Sequence, residues 1–228
     1  MKALLSFVLA GTLLFGTAQP CLFSDESHRI YACGKSDGRE LALTFDDGPH
    51  PEYTPRILDL LKEAGVKATF FVIGENVERY PDLVERMKRE GHTVGNHTYG
   101  HRRVECQTEE DFYGDVLKNK RLLESLSVKD RLFRPPGGVC DGKVLALAEK
   151  MDYDVILWTV DTNDWRAPAQ EQIVESVLSS VKGGDIILMH DYVSGKSNTP
   201  EALAILLPLL AEQGYTFVTV DKLLFEDP

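Results

Sequence analysis

The 228 residues contain only four cysteines, Cys21, Cys33, Cys106 and Cys140, and no Cys-x-x-Cys pair. A thiolate zinc site is therefore not indicated. Basic residues are in deficit: 25 Lys and Arg against 36 Asp and Glu leave a formal charge of -11. Neutralising a phosphate backbone needs clustered Lys and Arg, so no nucleic-acid partner is expected. The apolar run Ala3–Phe15 is too short to span a bilayer comfortably, and no other segment suggests a transmembrane span. There is no repeat of fixed period, no low-complexity tract and no sign of a second domain. What is present is an ordinary globular composition, 43% hydrophobic and 27% charged, enough for one sizeable domain with a core.

The N-terminus, "MKALLSFVLAGTLLFGTAQP", places one Lys before an apolar run and small residues after it. That is the layout of a secretory signal, with cleavage expected after Ala18. The chain then divides into a signal peptide (1–18), a polar arm or linker (19–39) and a single domain (40–228). Secretion to the exterior or cell wall is expected, with no stable membrane insertion after cleavage; the alternative is anchoring by an uncleaved N-terminal segment. An even cysteine count in an exported chain permits disulfides, and Cys21–Cys33 with Cys106–Cys140 is the expected pairing.

From Leu41 onward, apolar and β-branched runs alternate with amphipathic stretches. The runs are Leu41–Phe45, Ala68–Ile73, Thr93–Asn96, Arg131–Arg134, Val155–Val160, Ile186–His190 and Tyr215–Val220. Helical spacing occupies Pro55–Ala64, Pro81–Glu90, Glu109–Leu126, Lys143–Lys150, Ala169–Val181 and Pro200–Gln213, and several of these stretches end in Gly. Such alternation predicts an α/β fold with a parallel sheet, open or closed. The polar residues decide between them. Asp46 and Asp47, His97 and His101, Arg134, Asp161 and Asp164, and His190 all fall at strand C-termini. In a closed barrel those ends converge on one mouth, so a barrel of about seven parallel strands is expected.

His97 and His101 stand four apart, which puts both imidazoles on one face if the segment forms a helical turn. With a carboxylate they would make a two-His, one-carboxylate cation site, a ligand set used by zinc and by non-haem iron. Asp46 and Asp47 repel one another unless one binds the cation and the other acts as base toward its water. Read alone, Asp-Asp-Gly-Pro is also an ordinary polar turn. Arg134 ends an apolar strand, where a charge needs a partner. The Pro-Pro-Gly-Gly after it makes a rigid turn whose N–H groups lie open to an oxyanion. Leu188 and His190 share a strand face, which makes them a pocket wall and a candidate acid. Asp164 can hold such a His, and Trp165 offers an apolar wall or a sugar-stacking face.

Five motifs, "TFDDGP", "HTYGH", "RPPGG", "DTNDW" and "ILMH", occur in an order and spacing that resemble the polysaccharide deacetylases. These are the NodB-homology proteins of carbohydrate esterase family 4. The resemblance spans roughly Leu41 to Leu224 and implies a distorted (β/α) barrel. It implies Asp46 as catalytic base, held by Arg134, and His190 as general acid, paired with Asp164. Asp47, His97 and His101 would bind a divalent metal, Zn2+ first, with Co2+, Mn2+ or Ni2+ as alternatives. Trp165 and Leu188 would accept the acetyl methyl, and the Gly137 N–H would face the oxyanion. Many relatives carry Tyr where this chain has Gly137, which removes a side-chain contact with substrate.

The expected activity is removal of N-acetyl groups from an N-acetylglucosamine-containing polysaccharide by a monomer. Peptidoglycan, chitin oligomers and exopolysaccharide all qualify as partners. The alternatives are another zinc amidase or an O-acetyl esterase on the same fold, an iron oxygenase, and a glycan-binding module whose catalysis has decayed.

Overall fold

The computed structural model describes residues 29–34 and 38–225. The expected signal peptide with its cleavage point, and Cys21, lie outside the described residues. Among the described residues there are nine strands: β1 (Ile30–Tyr31), β2 (Glu40–Asp46), β3 (Thr69–Val72), β4 (Thr93–Asn96), β5 (Leu132–Phe133), β6 (Asp154–Ile156), β7 (Val160–Asp161), β8 (Ile186–His190) and β9 (Thr216–Phe217). The helices are α1 (Tyr53–Ala64), α2 (Gly74–Arg79), α3 (Pro81–Arg89), α4 (Glu109–Ser125), α5 (Gly142–Met151), α6 (Gln170–Leu178), α7 (Thr199–Glu212) and α8 (Val220–Phe225).

Strand order is β1-β6-β5-β4-β3-β2-β8-β7, with β9 beside β2. Every ladder pairing is parallel. β6 and β7 stand near opposite ends of this order, yet only residues 157–159 separate them. Four Cα steps span at most about 14 Å, so the sheet has to curl until its ends meet. The Leu157 amide then donates to the Tyr31 carbonyl (2.7 Å) and the Thr159 amide to the Ile186 carbonyl (3.0 Å). The result is a distorted (β/α) barrel. The expected run Val155–Val160 is two strands because the chain changes partners across this seam.

Residues 29–34 correct the reading of 19–39 as an arm or linker. They supply β1, and Cys33 bridges antiparallel to Asp185 just ahead of β8. The Gly34 amide donates to Gly184 O at 2.8 Å, so this segment straddles the seam. Two residues cannot show a periodicity, which is why β1 left no pattern in the sequence.

Alternation along the strands separates two cores. Leu41, Leu43 and Phe45 of β2 face the surrounding helices, with Ile57, Leu58 and Leu61 of α1 and Leu203, Leu206 and Leu210 of α7. Ala42 faces inward with Phe71, Leu132 and Ile186, where Val220 and Leu223 of α8 close the N-terminal end of the barrel. Thr44 and Asp46 continue the inward row toward the opposite, open end. Helix signals behave as expected: α1 stops at Gly65 in the left-handed region (φ 70°), and Thr108 and Asp141 cap α4 and α5 through side-chain oxygens. The run Tyr215–Val220 holds only the two-residue β9, because Val220 already begins α8.

The expected Cys106–Cys140 disulfide is not formed: both thiols are free. Cys106 is exposed at the end of a 3-10 turn, while Cys140 packs half-buried beside the cluster around Val144 and Leu147. Burial raises the Cys140 pKa. Cys33 is disulfide-bonded, and its partner lies outside the described residues.

Candidate active site

Arg134 is fully buried just past β5, and each of its three side-chain nitrogens donates to an acceptor. Nε reaches Ile156 O (3.1 Å) and Nη2 reaches Leu157 O (3.1 Å). Nη1 reaches Thr44 Oγ1 (2.8 Å) and Asp46 Oδ1 (2.7 Å). The guanidinium also stacks 4.1 Å over Phe71. A buried charge survives only when compensated in this way. Two inward residues of β2, Thr44 and Asp46, meet it because they stand two apart on one strand. The second Asp46 oxygen lies 3.7 Å from His97 Nε2.

Asp47 leaves the strand with φ 76°, a left-handed conformation that Asp tolerates. Asn76 Nδ2 fixes the Asp47 carbonyl at 2.7 Å. The reversal carries the carboxylate away from Arg134 and toward the histidines: Asp47 Oδ1 lies 3.4 Å from His97 Nε2 and 3.3 Å from His101 Nε2. His97 and His101 do not sit on a helical turn. They follow β4 in an irregular loop in which Thr98 (φ 67°) and His101 (φ 49°) are left-handed. The loop, and not an i,i+4 helix face, brings the rings to 4.9 Å between centroids.

His97 Nδ1 contacts the Arg134 carbonyl at 2.6 Å. A carbonyl only accepts, so Nδ1 carries the proton and Nε2 presents a lone pair. That lone pair faces Asp47 Oδ1, a buried oxygen with no hydrogen-bond partner. Electron pairs converging without a donor between them fit a cation. Asp47, His97 and His101 offer ligand atoms all within 4.8 Å of one another. Burial raises the Asp47 pKa, but the neighbouring imidazoles of His97, His101 and His190 outweigh it and hold it below the ordinary value.

Opposite stands His190, in register with Asp46 across the β2–β8 ladder. Its Nδ1 lies 2.7 Å from Asp164 Oδ1 and its amide donates to Asp164 Oδ2 at 2.8 Å. Thr199 Oγ1 donates to that same Oδ2 at 2.7 Å. Burial lowers the His190 pKa, but the Asp164 hydrogen bond and charge, with Asp46 and Asp47 behind, raise it to about 9.

One cavity of about 330 Å3 gathers eight of the ten predicted residues: Asp46, Asp47, His97, His101, Gly137, Trp165, Leu188 and His190. Arg134 and Asp164 stand behind it, touching Asp46 and His190. Trp165 is half exposed at the rim, and Leu188 is buried. Gly137 has φ 67° with open space where a Cβ would point. Its left-handed backbone, and not crowding, is what favours glycine there. At Gly138, φ is 68° and a Cβ would lie 2.6 Å from the Trp158 ring.

Sequence reasoning missed several contributors. Trp158 and Asp161 line the cavity. Trp158 lies inside a run that reads as strand, and Asp161 carries no sequence signal beyond being a polar residue at a strand end. Thr199 is 35 residues from Asp164 and belongs to no motif. Asp191, next to His190, is fully buried and accepts from Thr54 Oγ1 at 2.5 Å. Its amide donates to the Asp46 carbonyl at 3.2 Å, and burial pushes its carboxyl up to about 7. A Cβ on Gly48 would stand 2.1 Å from Asp191 Oδ2, so the glycine of Asp-Asp-Gly-Pro exists for close approach.

Residues 34–156 match the family model described as polysaccharide deacetylase. The chain is 45% identical over 186 residues to a peptidoglycan-N-acetylglucosamine deacetylase of Bacillus cereus, covering 81% of this chain and 87% of that protein. It is 38% identical over 193 residues to a chitooligosaccharide deacetylase of Bradyrhizobium, covering 79% and 88%. Among solved structures, it superposes with a TM-score of 0.84 on a peptidoglycan N-acetylglucosamine deacetylase in complex with 4-naphthalen-1-yl-N-oxidanyl-benzamide, at 35% identity, covering 89% of this chain and 95% of that one. Fold, motif order and overall similarity agree: the chain belongs to the polysaccharide deacetylase family.

Proposed function

We propose that this chain is a metal-dependent hydrolase that removes N-acetyl groups from an N-acetylglucosamine polymer and releases acetate. Peptidoglycan is the first candidate, because the Bacillus cereus relative acts on it at 45% identity; chitin oligomers are the second. The observation that carries this reading is the split of the two adjacent carboxylates. Asp46 is tied to Arg134 at 2.7 Å, while Asp47 faces two imidazoles with an unpartnered oxygen. One pair therefore offers both a base and a ligand.

Asp47, His97 and His101 would hold the metal. When bound, it supplies Lewis-acid polarisation of the acetyl carbonyl and acidifies water, a role suited to Zn2+ and open to Co2+, Mn2+ or Ni2+. Asp46 takes the proton from the attacking water through the oxygen not bonded to Arg134 Nη1. Water oxygen bonds to the acetyl carbon, and the carbonyl electrons move onto its oxygen. The Gly137 N–H donates to that oxyanion. Collapse breaks the C–N bond, and His190 Nε2 gives its proton to the departing nitrogen. Asp164 holds the imidazole by Nδ1, and Thr199 holds Asp164. With a pKa raised to about 9, His190 is protonated at neutral pH, as an acid must be; a bound cation would bring that value down. Leu188 and Trp165 form the wall for the acetyl methyl and sugar. An extracellular or cell-wall location follows from the signal-like N-terminus. No helix among the described residues is long and apolar enough to cross a membrane.

The test is acetate release from peptidoglycan, chitin oligomers and acetyl-xylan, before and after chelation and with Zn2+ added back. Release that survives chelation would refute metal dependence. Acetate from acetyl-xylan but from neither N-acetylated polymer would favour the esterase reading. Asp46→Asn should abolish turnover while equilibrium dialysis still finds metal bound; near wild-type turnover would refute the base assignment.

A further inference from the structure

The His97–His101 loop carries two of the three candidate metal ligands, and no regular structure gives it shape. Thr98 and His101 hold left-handed backbones that non-glycine residues abandon unless held there. Something outside the loop fixes it. Each of its five amides has an acceptor. His97 N donates to Val72 O (3.1 Å), Thr98 N to Asn96 Oδ1 (2.9 Å) and His101 N to Thr98 Oγ1 (3.0 Å). The two central amides, Tyr99 and Gly100, both donate to Asp115 Oδ2, at 3.1 and 3.2 Å. One turn further along α4, Asn119 Nδ2 donates to Thr98 O (2.9 Å) and Val72 O (2.9 Å) and lies 3.0 Å from Asn96 Oδ1.

Asp115 and Asn119 are both buried, and neither lines the cavity. Asp115 also meets Arg102 Nη2 through Oδ1 at 3.2 Å, but that guanidinium is more than half exposed, and exposed pairs contribute little. The oxygen given to the loop is the other one.

We propose that Asp115 and Asn119 are positioning residues of the metal site. From one face of α4 they hold the His97–His101 loop in its ligating shape before a cation arrives. The proposal rests on the reading of Asp47, His97 and His101 as metal ligands. His97 has a second anchor in the Arg134 carbonyl. His101 is held through the loop backbone, by way of Thr98, so loss of the clamp bears on His101 first. Partners of this kind orient ligands and set affinity without touching the ion.

The experiment measures Zn2+ affinity of the metal-stripped full chain by competition with a chromophoric chelator, with amide hydrogen exchange at Tyr99 and Gly100. Asp115→Ala should bind Zn2+ at least about tenfold more weakly and lose protection at both amides. Asp115→Asn keeps a carbonyl oxygen for those amides and should stay within about threefold of wild type. Arg102→Ala, which removes only the exposed pair, should stay within about twofold. If Asp115→Ala is unfolded by circular dichroism, Asp115→Glu replaces it, because the added methylene displaces the acceptor and should also weaken binding. Wild-type affinity in a folded Asp115→Ala or Asp115→Glu overturns the proposal and leaves the metal reading intact. A wild-type chain that cannot take Zn2+ from the chelator overturns both.

Discussion

Arg134→Met gives the sharpest stability test of the site. The variant keeps the side-chain volume roughly constant but leaves Asp46 buried without its cation, and it removes the donors to Ile156 O and Leu157 O. Breaking a buried pair from one side costs about 3–5 kcal/mol, because the remaining charge is uncompensated. For a chain of this size each kcal/mol lowers Tm by about 2–4 °C, so a fall of about 6–20 °C is expected. The sign test comes from the double variant. Asp46→Asn alone should also destabilise, by stranding Arg134. Added to Arg134→Met it removes the stranded carboxylate, so the double variant should be more stable than Arg134→Met alone. Denaturant melts of all four proteins with chelator present give the coupling. A loss under about 1 kcal/mol for Arg134→Met, or a double variant less stable than Arg134→Met, would refute compensation of Asp46 by Arg134.

Other outcomes follow from the same geometry. Asp164→Asn should move the basic limb of the pH–rate profile downward, from at most about 9 toward the ordinary His value, because the group that raises the His190 pKa is gone; an unmoved limb would refute His190 as the acid. Since the folded His190 pKa lies above its unfolded value of about 6.5, its stabilising contribution is complete below about pH 6.5 and is lost as pH rises through about 9. Thermal melts between those limits should show wild type, but not Asp164→Asn, losing stability. Gly48→Ala forces a methyl to within 2.1 Å of the buried Asp191 carboxylate; about 1–3 kcal/mol of destabilisation is expected, with weaker Zn2+ binding through the neighbouring Asp47. Gly138→Ala meets both a φ of 68° and the Trp158 ring at 2.6 Å, so a larger loss of Tm than for Gly137→Ala is expected, where there is open space.

Much of this was legible because it is written locally. The seven runs each contain a strand, since strands buried on both faces read as near-continuous apolar segments. The polar residues stood out because they interrupt such runs at the same end of each. Less was legible where partners are distant. β1 is two residues long and finds its place only against β6 and Asp185. Thr199 meets Asp164 across 35 residues, and Thr54 meets Asp191 across 137. The His97–His101 spacing looked helical, but the separation of four is spent in a loop shaped by Asp115 and Asn119.

The sequence by itself determined the alternation of elements, the inward row of Thr44 and Asp46, and the supply of groups at the strand ends. These follow from period-two and period-3.6 patterns that neighbouring residues impose on one another. Only the tertiary structure decided how the adjacent carboxylates divide. A left-handed Asp47, room left by Gly48 for Asp191, and an Arg134 arriving from 88 residues away send one carboxylate to a guanidinium and the other to two imidazoles. No local pattern encodes that outcome, because buried charges settle on whichever opposite groups the closed barrel brings within reach.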